Sequence, residues 1–341
     1  MTQPLRNPSP IFFGPDGLRA GWALLAAITI FFTLYNAIGA VLRITHLAPH
    51  AQTDPTPGAT LYSEGLLFLI VAAVTWIMSR IEDRPVSTYG LGGKRRLPFL
   101  LAGVFWGLLF LSLLVFALIK TRLLVIDARL LTGNDILRYA LEWTPAFLAI
   151  AFFEEYLFRG YLLYTLTRGF TSLYRRVNDS PRSATLGFWT AALLLSLGFG
   201  LIHSSNAGES PIGLLCAALI SLVFCLSIWR TGSLWWAIGF HSAWDWAESF
   251  LYGVADSGVT VRFHLLATHP NGAPLLSGGS TGPEGSLFAI PIAVLTALVI
   301  VLTLRGTETY AALLPRFSRC STSTGSLPDP APAPPFEEHR R

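Results

Sequence analysis

The chain has 341 residues, of which 52% are hydrophobic and only 13% charged, with a mean hydropathy of +0.53 and a formal net charge of +4. A water-soluble domain carries about 25% charged residues, and the apolar runs here are too long and too numerous for one soluble core. A soluble enzyme is therefore excluded, and so is a nucleic-acid-binding role, because basic residues in such a chain report topology rather than polyanion affinity.

In chain order, residues 1–19 form a Pro-containing N-terminal segment, expected to be cytoplasmic and irregular. A hydrocarbon core about 30 Å thick calls for about 20 apolar residues per helix. Windows of that kind fall at residues 20–42, 60–79, 98–119, 144–166, 186–206, 210–229, 233–253 and 286–304. The first is too long for a signal-peptide core and lacks a small-residue cleavage site, so it is expected to remain as an anchor. Trp22, Trp143, Trp189, Trp235 and Trp236 fall near window ends, where interfacial aromatics collect. Residues 255–285 read as a long external loop, and the tail 305–341, with "SLPDPAPAPPFEEHRR", has a disordered composition.

The fold expected is an all-α polytopic membrane protein of about eight transmembrane helices with a polar site inside the bundle. A single membrane domain covers 20–304, with a motif-bearing core at about 144–253. With both termini cytoplasmic, the inner segments hold seventeen Lys and Arg residues and the outer segments six. That bias predicts a multi-pass cell-membrane protein with both ends inside, and the segment 120–143 fits it worst. Cys216, Cys225 and Cys320 show no metal or disulfide spacing.

Charge within a span costs roughly 2.5–3.5 kcal/mol per residue on insertion scales, so "FFEEYLFRGYLL" at 152–163 needs an explanation. Helical residues four apart share a face and adjacent ones diverge. Glu155 and Arg159 can thus neutralise each other, whereas Glu154 points elsewhere without an obvious partner and has the character of a general base. "FGLIH" places Phe199 and His203 at the same spacing on another window, and "HSAWD" does so for His241 and Asp245 on a third. Taken singly, a histidine in a span is as readily an interhelical hydrogen-bonding group, and Glu155–Arg159 reads first as structural. Glu248 reads as interfacial, and Asp127, His264 and His269 as loop residues without a motif. If the three spans pack together, Glu154, His203, His241 and Asp245 converge on one wet cavity. His203 lies near the end of its window while Glu154 and Asp245 lie near mid-depth, so "SSNAGESP" after it either extends or breaks that helix.

These three motifs, Glu154-Glu155-Tyr-Leu-Phe-Arg159, Phe199-Gly-Leu-Ile-His203 and His241-Ser-Ala-Trp-Asp245, resemble the EExxxR, FxxxH and HxxxN/D pattern of the CAAX protease and bacteriocin-processing family of intramembrane endopeptidases. That family includes the type II CAAX prenyl proteases. The resemblance implies hydrolysis of a peptide bond in a membrane-associated, for instance prenylated, protein or peptide. Glu154 with His203 would activate water, His241 and Asp245 would stabilise the oxyanion, and Glu155 and Arg159 would support the glutamate helix. The partners implied are that substrate and the lipid bilayer, with no nucleic acid. Water activation by glutamate with no cofactor is the reading taken here. A divalent metal such as zinc on Glu154, His203, His241 and Asp245 is the other, although HExxH is absent. An ion- or proton-coupled transporter and a non-catalytic bacteriocin-immunity-type factor are the competing functions. The sequence shows no repeated halves of the kind transporters use.

Overall fold

The computed structural model describes residues 11–14, 17–47 and 55–304; the Pro-rich tail and most of the N-terminal segment lie outside the described residues. A short antiparallel pair, β1 (Phe13–Gly14) with β2 (Gly17–Leu18), precedes α1 (Ala20–Ile44), α2 (Pro57–Ile81) and α3 (Arg96–Lys120). Strand β3 (Leu124–Arg129) leads into α4 (Asn134–Glu154), which continues through a π-helical stretch, Glu155–Leu162, into α5 (Leu163–Val177). Helix α6 (Arg182–Ile202) closes with a 3₁₀ turn at His203–Ser205 and is followed by α7 (Pro211–Thr231). Helix α8 (Trp235–Asp245) is prolonged by a second π-helical stretch, Trp246–Leu251. Strand β4 (Leu266–Pro270), the single turn α9 (Pro274–Ser277) and α10 (Ala289–Thr303) complete the described chain.

Six of these helices are long and apolar enough to cross a membrane: α1, α2, α3, the continuous 44-residue α4–α5 rod, α6 with its closing turn, and α7. The α10 helix has 15 residues, and α8 with its π extension is also short of that length, so six of the eight expected spans are long enough and the full count is not confirmed. The outer surface is apolar, with Phe32, Leu69, Phe105, Leu197 and Val294 exposed. The chain is thus a multi-pass membrane protein, its exposed apolar faces suited to lipid.

Helix ends follow local chemistry. Thr56 caps α2 by accepting from the Ala59 amide at 3.4 Å, Ser210 caps α7 through the Gly213 amide at 3.2 Å, and each helix has Pro at its first position. Gly232 ends α7 with φ +65°, the left-handed conformation glycine adopts without strain. Two expected boundaries need correction. The helix bearing Glu154 begins at Asn134, ten residues before the apolar window, because its first turns are amphipathic: Arg138 pairs with Glu142 on an exposed face while Trp143 is buried against Phe147 and Phe250. Pro145 is accommodated inside it, and the Thr144 hydroxyl bonds back to the Ala140 carbonyl at 2.8 Å. The segment 255–285 is more than a loop, since its β4 pairs antiparallel with β3, joining Leu124 to Pro270 and Arg129 to Leu266.

Connections alternate between two ends of the bundle. At one end the β3–β4 pair gathers with the turn after α6, where Asn206 donates to the Ser257 carbonyl and Ser280 to that of Gly208. At the other, Arg168 pairs with Glu82 at 2.7 Å and also reaches the Leu18 carbonyl, while the Leu234 amide bonds Gly90. Between these ends α3 and α8 touch backbone to backbone. A methyl group on Gly103 would strike the Trp236 carbonyl, one on Gly107 that of Phe240, and one on Gly239 that of Leu100. Gly103 and Gly107 form a GxxxG pair on α3, the small-residue arrangement by which helices approach closely in lipid. This contact fixes α8, and with it His241. Gly239→Val is expected to destabilise the protein by about 1–3 kcal/mol or more; thermal unfolding in detergent checks it, and an unchanged transition would show that the two helices do not need this approach.

Candidate active site

The polar residues on α4, α6 and α8 gather into one linked system. Glu155 is fully buried, and its Oε1 accepts from Arg159 Nη1 at 3.1 Å and from His241 Nδ1 at 3.0 Å. A carboxylate can only accept, so the imidazole Nδ1 carries a proton and the opposite ring edge is fixed in direction. There Nε2 lies 3.4 Å from Asp245 Oδ2, one turn along α8, and 3.8 Å from Glu154 Oε2. Glu154 makes no other polar contact among the described residues and lines the cavity. The helical-wheel expectation is met: Glu155 and Arg159 pair, and Glu154 points elsewhere. What spacing alone did not reveal is that Glu155 also holds His241.

Arg159 connects the same glutamate to the second motif. Its guanidinium carbon lies 4.0 Å from the Phe199 ring centroid, with the Phe224 and Phe158 rings at 5.7 and 5.9 Å. Among the described residues Nε and Nη2 have no hydrogen-bond partner, and these aromatic faces and Glu155 surround the buried cation. Phe199 in turn packs against His203 at 4.7 Å between ring centroids, and its carbonyl takes the His203 Nδ1 proton at 2.7 Å, leaving Nε2 for the cavity. The aromatic residue of the FxxxH motif is thus a platform under Arg159 and a brace for His203.

Both acidic motifs sit at α-to-π junctions, Glu154 immediately before Glu155–Leu162 and Asp245 immediately before Trp246–Leu251. A π turn widens the helix locally and is frequent at functional sites. His203 lies in the 3₁₀ turn that closes α6, so the helix breaks there rather than extending, and Asn206 just beyond it bonds the Ser257 carbonyl.

Glu154, His203, His241 and Asp245 all line one cavity of about 550 Å³. Its wall also includes Glu64 of α2, Asp256 and Glu284, none of which the motif reading singled out. Glu64 was legible as a lone acid in an apolar window, the kind of residue that is a functional hypothesis by default. Glu248, expected at an interface, is instead fully buried; it lies one turn beyond Asp245, with its carboxylate close to those of Asp256 and Glu284. Outside the spans, burial pushes the Asp256 carboxyl well above the usual carboxylate range, and the neighbouring charges of Asp245 and Glu284 add to that. The four motif residues do not close into a metal-sized group: among the described residues, three or more potential ligand atoms within 4.8 Å of one another occur at Glu248, Asp256 and Glu284.

The motif residues thus form a buried carboxylate–imidazole system that opens into a cavity within an apolar helical bundle. Residues 136–247, about a third of the chain and the stretch holding all three motifs, match the family described as type II CAAX prenyl endopeptidase Rce1-like. The chain therefore carries an Rce1-like domain, and the match supports an intramembrane protease of the CAAX type at the level of the family. No curated protein and no solved structure matches the chain.

Proposed function

We propose that this protein is an intramembrane endopeptidase that hydrolyses a peptide bond of a membrane-associated protein or peptide, prenylated chains being one substrate class. The observation that carries the reading is the convergence of Glu154, His203, His241 and Asp245 on one cavity, with Glu155 bonded to His241 behind it.

In this mechanism Glu154 accepts a proton from a water molecule held between its carboxylate and His203 Nε2, and the hydroxide equivalent attacks the scissile carbonyl carbon. The carbonyl π pair moves to oxygen, and the oxyanion is met by His241 Nε2–H of the doubly protonated ring and by Asp245. Asp245 serves there only as the neutral acid, because an ionised carboxylate would repel the oxyanion. Collapse of the tetrahedral intermediate breaks the C–N bond, and Glu154 returns its proton to the leaving amine. Glu155 is a positioning residue, holding the His241 ring with Nδ1–H directed away from the substrate. This chemistry uses no metal, in keeping with the donor geometry of the four residues.

We read both termini as cytoplasmic from the Lys and Arg bias. The cavity wall includes Asn206, Ser257 and Pro55 at the β3–β4 end, and on this reading that end faces the other side of the membrane.

The test is cleavage of a fluorogenic prenyl-peptide panel by the purified protein in nanodiscs, comparing wild type with His203→Ala. Cleavage is expected in the wild type, about 10²-fold slower in the variant, and indifferent to a zinc-selective chelator. Loss with that chelator and recovery with added zinc would replace the glutamate mechanism by a metal-dependent one. No cleavage by the folded wild type, with proton flux in liposomes, would replace the protease by a transporter.

A further inference from the structure

The acidic group beside the cavity is unlike the motif site in one respect: no base accompanies it. Glu248 lies on the π stretch after α8, Asp256 in the following bend, and Glu284 on the 3₁₀ turn Pro283–Gly285. One carboxylate oxygen from each lies within 4.8 Å of the others. Among the described residues, none of the three forms an ion pair with Lys, Arg or His. Asp256 and Glu284 are steadied by hydroxyls, Ser249 Oγ donating to Asp256 Oδ2 at 3.4 Å and Ser257 Oγ to Glu284 Oε2 at 2.9 Å. Glu248 is different. It is 0% exposed, neither of its carboxylate oxygens has a hydrogen-bond partner among the described residues, and it is directed at the other two acids. The indole N–H of Trp244, one turn earlier, is directed at the same carboxylate but makes no hydrogen bond of normal geometry to it. A buried carboxylate left this way is costly unless a proton neutralises it or a cation meets it.

The donor set says what that is. Three carboxylates with no sulfur and no imidazole suit a hard cation. Oxygens that all lie within 4.8 Å of one another are close enough to share one ion at the calcium distance of about 2.4 Å. Asp256 and Glu284 border the cavity, so water can reach the site to complete the shell. The ligands come from the end of α8 and from both limbs of the 252–288 segment, so an ion there would fasten that segment over the cavity.

We propose that Glu248, Asp256 and Glu284 bind a divalent cation of calcium-like, oxygen-preferring chemistry, and that this ion locks the extramembrane segment onto the end of α8. The site shares no residue with Glu154, His203, His241 and Asp245, although Asp256 and Glu284 border the same cavity, and it does not depend on whether the protein cleaves peptides. Three acids that merely share protons are the alternative.

The test uses the full chain in detergent, stripped with EGTA. Terbium is added with tryptophan excitation, Trp244 being the near sensitiser. A saturable emission, competed by calcium and lost in Glu248→Gln and in Glu284→Gln but kept in Glu142→Gln, is expected. In parallel the melting temperature of the stripped wild type is expected to rise with calcium, a readout that needs no variant. Emission equal in wild type and Glu248→Gln, or no calcium competition together with an unmoved melting temperature, would overturn the site and leave proton sharing.

Discussion

Glu154→Gln is expected to reduce peptide cleavage by on the order of 10²–10⁴-fold while leaving thermal stability at the wild-type level. The amide keeps the size and shape of the carboxylate but cannot take a proton from water. Stability should hold because Glu154 is bound to little: its nearest polar neighbour is His241 Nε2 at 3.8 Å, beyond hydrogen-bonding distance, and its side chain faces the cavity. This separates it from Glu155, one residue later, whose oxygen serves both Arg159 and His241. Rates measured on the nanodisc preparation, with unfolding followed by tryptophan fluorescence, check both halves. A variant within about tenfold of wild type would remove Glu154 from the role of base, whereas lost activity accompanied by a fallen melting temperature would make it a structural residue.

That contrast between adjacent glutamates was legible in the sequence because helical geometry is local. Spacing alone gives Glu155 to Arg159, Phe199 to His203 and His241 to Asp245, and the structure has all three pairs within reach. Hydropathy located the apolar helices for the same reason, since a membrane selects composition one window at a time. What escaped was non-local or composite. The link from Glu155 to His241 joins residues 86 apart, and no periodicity encodes it. The first three turns of α4 were hidden because an amphipathic helix lying beyond the hydrocarbon has no apolar excess. The β3–β4 pair was hidden because its strands are short and far apart in sequence. Glu248 was misread because it lies near the end of an apolar window, although helical spacing sets it one turn beyond Asp245 and the structure buries it completely. Its proximity to Glu284 is likewise non-local, since that residue comes from a separate 3₁₀ turn further along the chain.

Arg159→Met is expected to destabilise the folded protein by about 3–5 kcal/mol, the usual cost of leaving half of a buried ion pair behind. Glu155 would remain at 0% exposure with His241 as its sole hydrogen-bonding partner. The methionine would still fill much of the space among Phe158, Phe199 and Phe224, so lost packing accounts for little of the effect. The double variant Glu155→Gln/Arg159→Met separates charge from shape. Its glutamine retains an oxygen able to accept from His241 Nδ1–H, while neither buried charge persists, so it should be clearly more stable than Arg159→Met alone. Equilibrium unfolding of the four proteins in one detergent gives the coupling energy between the two positions. A single variant as stable as wild type would mean that Glu155 takes up a proton without penalty and that Arg159 is not its counter-charge. Additive losses in the double variant would mean that the two side chains act separately. Recovery in the double variant would place the pair where the geometry suggests, as the element that makes charge tolerable in this bundle and so allows Glu154 to stand unpaired beside it.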